Sequence, residues 1–199
     1  MQAPPRGDDS AGAVPPRDAK RSRKLRHHIV VAVEVRDRLA AWGRRPRAER
    51  LARLATTASE LPARLATAPA TVLTRRPAPD AWAPVEIVCH LRDLEESFHE
   101  RLALILTTDE PRFPTTNPDR WAAERQYLRQ DTHDAARAFA RRRADTLTVL
   151  RGVNDEAWTR AGWQLDSRGR RTVDDFLTLI AWHDDNHIEQ LARALEGRR

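Results

Sequence analysis

The chain has 199 residues, enough for one domain with a hydrophobic core, with or without a tail. Its one cysteine, Cys89, cannot form an internal disulfide. No apolar run approaches the ~20 residues that span a bilayer, and the polar, proline-rich start is not a secretory signal, so we expect a cytoplasmic protein without membrane association. The net charge of +6 arises in residues 1–46, which hold 11 Lys or Arg and 5 Asp or Glu. Residues 47–199 therefore have no net charge, and they lack the broad basic face of a protein that binds duplex nucleic acid.

The leading segment, residues 1–46, is predicted to be a flexible, basic extension. Prolines at positions 4, 5, 15 and 16 and the run KRSRKLR favour disorder over residues 1–25. A short amphipathic helix is predicted over residues 29–42, ahead of Pro46. We therefore expect the folded domain to occupy residues 47–199.

Two long helices are predicted first, from apolar residues at three- and four-residue spacing. The first begins near residue 48, and Pro62 is expected to kink or restart it. Pro84 suits the first turn of the second helix, whose apolar stripe runs from Ile87 to Ile105. Prolines at 111, 114 and 118 end that helix and mark a long connection.

Shorter and longer helical segments follow this connection. Asn117 is a suitable N-cap for helical residues 118–129, and a longer helix is predicted over residues 132–151. One short turn at residues 154–158 then leads into a loop that contains glycine.

The last helix is predicted from its start signal. Thr172 and Asp175 resemble a capping box, and an apolar stripe continues from there to about Leu195. No segment has a convincing strand pattern. The fold class is therefore all-α: a four-helix bundle with extra short helices and a flexible N-terminal extension.

Helical spacing separates the histidines that share a face from those that do not. Each residue turns a helix by about 100°, so His183 and His187 lie about 40° apart, at or beside the apolar stripe. His90 borders the apolar stripe of the second helix. His99 lies about 180° around that helix from His90, so the two cannot bind the same ion. His90 is therefore the best partner for His183 and His187 in a metal site; the alternative is that His183 and His187 are a pair of ordinary edge histidines bonded to nearby carboxylates. Three others, in the extension or at a polar helix start, are not predicted as ligands: His27, His28 and His133.

Two known classes of metal site are excluded by their motifs. A zincin has Glu directly after the first histidine of its pair, whereas the segment HDDNH has Asp184 there. A di-iron bundle needs two Glu-x-x-His pairs, and only Glu96 and His99 have that spacing. Three neutral histidines with open coordination positions instead favour one zinc, nickel or iron ion.

Two segments carry a resemblance to a known family. They are WAPVEIVCHLRDLEESFHERL at 82–102 and TVDDFLTLIAWHDDNHIEQLARAL at 172–195, and they resemble the DinB-like family of metal-binding four-helix bundles. The likeness extends over residues 48–199 and leaves the leading segment unmatched.

This resemblance implies the family's fold, a homodimer, and a divalent metal held by His90, His183 and His187. The family includes candidate metal-dependent hydrolases and thiol-dependent transferases. It therefore also implies one of these activities and, for a transferase, a low-molecular-weight thiol as a second cofactor.

Four polar residues are predicted near the ligands. Asp184 faces inward, where it orients a histidine or acts as a general base; a buried salt bridge with an arginine is the equal alternative. The other three are candidates for the surroundings of the metal: Glu86, Asp93 and Gln190. Trp182 is interpreted as a core residue or a pocket wall.

Cys89 and the arginine run 141–143 receive structural interpretations. A lone buried thiol is most often a core residue, and Cys89 lies about 100° from His90 on the helix. Arg141, Arg142 and Arg143 cover most of one turn and are expected to form a solvated face, from which one could contact an anionic thiol.

The predicted function is that of a metal-dependent enzyme acting on a small molecule. It would use either a metal-activated water for hydrolysis or a bound thiolate for transfer, and both schemes need the same ligands. A non-catalytic metal- or ligand-binding protein of the stress response is the first alternative. A nucleic-acid-associated protein that works through the basic extension is a weaker one.

Overall fold

The computed structural model describes residues 34–165 and 169–199, and residues 39–199 form one compact unit. Most of the predicted extension, with His27 and His28, lies outside the described residues. The predicted short helix is described from residue 34 and continues to residue 43. None of the helices described is long and apolar enough to cross a membrane.

Four long helices dominate the unit, as predicted: α1 (Arg47–Leu65), α3 (Pro84–Thr107), α5 (Thr132–Arg151) and α6 (Val173–Leu195). Two short helices lie between them, α2 (Ala70–Leu73) and α4 (Pro118–Glu124). Single 3-10 turns occupy Tyr127–Arg129 and Ala157–Thr159. Each of α1 and α3 packs against both α5 and α6, so the two helices that carry the candidate ligands are neighbours.

The predicted helix starts are confirmed by their caps. Asn117 Oδ1 accepts a hydrogen bond from the backbone N–H of Arg120 at 3.0 Å. Thr172 and Asp175 form a reciprocal capping box at the start of α6, with bonds of 3.0 and 2.8 Å. These bonds satisfy backbone donors that have no partner inside the helix, which is why local sequence located these ends correctly.

Two helix predictions need correction. The helix α1 continues through Pro62 to its end at Leu65, so the proline does not restart the helix. Pro62 falls in the last turn, where its missing N–H removes one helical hydrogen bond. The helix predicted over 118–129 ends at Glu124, because Gln126 adopts a left-handed conformation (φ 50°). This break lets the buried Tyr127 donate a hydrogen bond to Asp93 at 2.6 Å, a tertiary contact that overrides helix propensity.

The expectation of no strands is also wrong. A small sheet contains β1 (Arg112–Phe113), β2 (Ala161–Gln164) and β3 (Gly169–Thr172), with β1 parallel and β3 antiparallel to β2. Strands of two to four residues are too short to show the alternation by which strands are recognised.

The core consists of two hydrophobic clusters at different levels of the bundle. One includes Leu61 and Phe139, and the other includes Leu54 and Leu147. On α6 the change from one cluster to the other falls between Ala181 and Ile188, and on α5 between Phe139 and Leu147. The bundle therefore has a polar layer between two apolar ones, and the candidate site lies in it.

Candidate metal centre

The structure brings three histidines to one point in the polar layer. His90 comes from α3, and His183 and His187 come from successive turns of α6. His90 Nε2 lies 3.1 Å from His183 Nε2 and 3.2 Å from His187 Nε2. One nitrogen from each ring lies within 4.8 Å of the other two, as the helical spacing predicted.

The donor set fits one divalent ion. Two nitrogens bound tetrahedrally to zinc at ~2.0 Å are ~3.3 Å apart, close to the 3.1 and 3.2 Å that separate His90 Nε2 from the Nε2 atoms of His183 and His187. Burial is the main cause that lowers the pKa of all three imidazoles: to about 3 for His90, to about 4 for His187, and well below the usual value for His183. The rings are therefore neutral at physiological pH, which is the form that binds a metal.

Only histidines belong to this group. In the described residues, no carboxylate or thiol joins the three nitrogens as a further ligand atom. Cys89 is buried, burial raises its pKa to about 11, and its Sγ lies 3.8 Å from Gln130 Oε1. His99 interacts instead with Thr146, with 3.3 Å between Nδ1 and Oγ1.

Several contacts hold the rings in place. His187 Nδ1 donates a hydrogen bond to Gln190 Oε1 at 2.7 Å, which directs Nε2 towards the other two rings. Trp82 packs on His90 with 4.8 Å between ring centroids, and Phe98 packs edge-on against His183 at 5.8 Å. Of the three predicted neighbours, Gln190 is thus the one bonded to a ligand.

Glu86 and Asp93 are bonded to other groups. Glu86 pairs with Arg76 and accepts from the backbone N–H of Ala83 at 2.9 Å, so it secures the start of α3. Asp93 accepts hydrogen bonds from Arg92, Arg125 and Tyr127. In the described part of the chain, neither carboxylate forms a hydrogen bond with a histidine. The negative charge of Asp93 nevertheless opposes part of the lowering of the His90 pKa that burial causes.

Asp184 belongs to a buried ionic cluster directly behind His183. Its two oxygens accept hydrogen bonds from Arg143 Nη1 and Nη2, the second at 3.0 Å. Arg143 also donates to Glu95 at 2.7 Å and to the carbonyl of Leu54 at 3.1 Å. Burial raises the pKa of Asp184, against the opposing effect of Arg143. The salt bridge left open by the sequence is therefore present, and a role as general base would require this pair to break.

Arg143 corrects one sequence interpretation, because it is 1% exposed and not part of a solvated face. Its neighbour Arg142 does face solvent, where it pairs with the exposed Glu96 at 3.0 Å. Trp182 is half-buried and packs against the second core cluster, in agreement with the core interpretation.

Trp82 is the site residue whose role the sequence interpretation missed. It lines a cavity of about 430 Å³ together with His187 and Gln190, and a second cavity of about 520 Å³ together with Arg76 and Tyr127. Trp82 precedes Pro84, at which α3 begins, so helical periodicity does not place its side chain relative to His90.

Comparison with known proteins finds a family match and a curated relative. The model of the DinB superfamily matches residues 53–191. A curated relative from Oceanobacillus iheyensis, named "Putative metal-dependent hydrolase", is 23% identical over an alignment of 127 positions. The alignment covers 59% of this chain and 66% of the relative, just under two thirds of its length.

Two solved structures share the fold. YfiT from Bacillus subtilis, described as a probable metal-dependent hydrolase with an unusual four-helix bundle topology, has a TM-score of 0.70 at 18% identity over 74% of this chain and 85% of its own. A mycothiol-dependent maleylpyruvate isomerase has a TM-score of 0.61 at 12% identity, over 75% of this chain and 62% of its own.

Proposed function

Because the chain belongs to the DinB superfamily and gathers three neutral imidazoles at one point, we propose that it is a metal-dependent enzyme. In this proposal His90, His183 and His187 hold one zinc, nickel or iron ion. The substrate is a small molecule that enters the cavity beside His187 and Gln190.

The number of protein ligands is the observation that carries the proposal. Structural zinc sites are closed by four protein ligands, whereas catalytic sites have three and leave a position for water or substrate. Three histidine nitrogens form the group in this chain, with no fourth protein ligand in the described residues, and His187 borders a cavity. This pattern favours catalysis over a purely structural or storage role.

An ion in such a site would lower the pKa of a bound water towards ~7, or bind a thiol as its thiolate. The protein's own residues supply orientation and shielding. Gln190 fixes the tautomer and direction of His187, and Trp82 covers one face of His90. The pair of Asp184 with Arg143 anchors α6 directly behind His183. We assign Asp184 to positioning on this basis.

Hydrolysis is the first candidate reaction, since the curated relative and YfiT are both described in those terms. Thiol-dependent transfer is the second, and it is supported by the fold shared with a mycothiol-dependent enzyme. Both reactions use the same three ligands. The homodimer and the cytoplasmic location remain predictions, which sedimentation and fractionation would test.

Metal content tests the proposal directly. Protein purified without a histidine tag is expected to hold or take up about one divalent ion per chain by mass spectrometry, as a three-histidine site requires. The His183→Ala and His187→Ala variants should hold almost none, while His99→Ala, a control from outside the cluster, should match the unmutated protein. Failure of the unmutated protein to bind any divalent metal would remove the catalytic proposal.

Gln190 provides a second prediction. The Gln190→Met variant loses the acceptor that orients His187, so we expect its metal affinity to fall about 10- to 100-fold. Gln190→Glu retains an oxygen acceptor and should stay close to the unmutated affinity. Competition with a chromophoric chelator measures both values, and equal affinities for Gln190→Met and the unmutated chain would show that this bond does not matter.

A further inference from the structure

The cavity of about 430 Å³ beside His187 has an unusual distribution of charge. Three arginine side chains line it, and Asp80 is the single acidic side chain in the lining. One wall is the face of α6 that carries His187 and Gln190, so the same cavity adjoins the proposed metal site.

Two of the three arginines already have acidic partners. Arg199 pairs with Asp80, and Arg198 donates a hydrogen bond to Glu196 at 2.6 Å. The third, Arg193, is half-buried, and within the described ranges its guanidinium has no hydrogen bond or ion pair. A half-buried guanidinium without a protein partner, in a cavity that holds more cations than anions, is available to an anionic ligand.

Arg193 lines the same cavity as His187, although the two residues project about 120° apart around α6. Asn186, Gln190 and Arg193 follow each other at spacings of four and three, so they form one polar stripe along the cavity wall. Helical side chains lean towards the N-terminus, so the Arg193 side chain lies over the turn of α6 that contains Gln190. Arg193 is six positions after His187, a rise of about 9 Å at the backbone that a small molecule can span.

We propose that Arg193 is a specificity-determining residue that binds an oxyanion, most naturally a carboxylate, at one end of a small-molecule ligand whose other end lies at the three histidines. A guanidinium presents paired donors that match the oxygens of a carboxylate or a similar oxyanion. This inference rests on the proposed function, because the histidines define where the reacting end of the ligand lies. It narrows the substrate class to anionic molecules of modest length.

The test uses the full chain loaded with cobalt(II) and three thiol probes of similar length. These are 3-mercaptopropionate, 2-mercaptoethanesulfonate and the neutral 3-mercaptopropan-1-ol, and thiolate-to-cobalt absorption reports their binding without any assay of activity. We expect the unmutated protein to bind an anionic probe about tenfold more tightly than the alcohol, as one added charge-assisted hydrogen-bond pair predicts. The tighter of the two anionic probes identifies the preferred oxyanion.

The variant Arg193→Gln should bind all three probes with affinities within about twofold of one another, because the charged donor is gone. Arg151→Gln removes the same charge from an exposed site on α5 outside the cavity and should preserve the tenfold preference. Thermal unfolding verifies that both variants are folded.

The outcomes separate this inference from the proposed function. A preference for anionic probes that is lost in Arg193→Gln and kept in Arg151→Gln supports the oxyanion site. Cobalt binding without such a preference, or with a preference that survives Arg193→Gln, overturns the oxyanion site and leaves the metal site standing. Absence of cobalt binding in the unmutated chain overturns the metal site, and the inference with it.

Discussion

The Arg143→Met variant is expected to lose about 3–5 kcal/mol of unfolding free energy, the usual cost of breaking a buried ion pair on one side. Arg143 is 1% exposed and neutralises Glu95 and Asp184, which are as deeply buried. Methionine fills much of the same volume, so the loss reflects two carboxyl groups left buried without a cation. For a domain of this size, the midpoint of thermal unfolding should fall by on the order of 10 °C.

The pH dependence gives this prediction a specific signature. Burial already raises the pKa of Asp184 with Arg143 present, and removal of the cation raises it further. Between the pKa of Asp184 in the unfolded chain and its higher pKa in the folded variant, the folded variant binds more protons than the unfolded chain. The contribution of this group to stability is therefore greatest at low pH and is lost as pH rises. The deficit relative to the unmutated protein should therefore be smaller at pH 5 than at pH 8.

Arg142→Met is the matched control. It removes the adjacent arginine of the same helix, whose partner Glu96 is exposed, so a change of only about 0–1 kcal/mol is expected. Chemical denaturation of both variants at two pH values makes the comparison. Similar losses in the two variants would mean that the buried cluster contributes no more than a surface pair.

The Gly162→Ala variant is expected to lose about 1–3 kcal/mol through overpacking. A Cβ at position 162 would lie 2.5 and 2.6 Å from ring carbons of Phe113 and 2.9 Å from the carbonyl oxygen of Pro111. The Phe113 ring is buried and packs edge-on against Phe176 at 6.2 Å between centroids, so it has little room to move. Denaturant unfolding gives the loss.

Two comparisons isolate the clash at Gly162. Gly152→Ala places a Cβ no nearer than 3.5 Å to any neighbour, so it should be neutral or stabilise by up to about 1 kcal/mol. In a Phe113→Ala background, Gly162→Ala should cost less, since the opposing ring is absent and only the close contact with the Pro111 carbonyl remains. A full loss in that background would place the cause elsewhere.

The helices were predictable because they depend on short-range periodicity. The same periodicity places each of the three histidines at or beside an apolar stripe, and the family resemblance implied that they hold one metal. The angle between His183 and His187 follows from their spacing of four, and the apolar stripe of α3 indicates which face of His90 is inward. Caps such as Thr172 act within three residues, so they too are visible in the sequence.

The ionic cluster behind the site could not be predicted in the same way. Arg143 lies in a run of three arginines whose local pattern indicates solvent, and its partners Glu95 and Asp184 are 48 and 41 residues away. Its spacing of four residues from both Phe139 and Leu147 does place it on the apolar face of α5, unlike Arg142, but this spacing does not identify its partners. The parallel pairing of β1 with β2 is likewise a long-range contact between strands too short to have a pattern of their own.

The separation of the three histidines along the chain sets an order of events during synthesis. His90 stands 93 and 97 residues before its two partners, which both lie on the last helix. At about 5–20 residues per second, several seconds of translation pass between the first imidazole and the other two, and α6 must then leave the ribosome and pack on α3. In the proposed metal site, an ion would therefore meet all three nitrogens only after translation has passed α6, and its binding free energy would then stabilise the closure of a loop that spans about half of the chain.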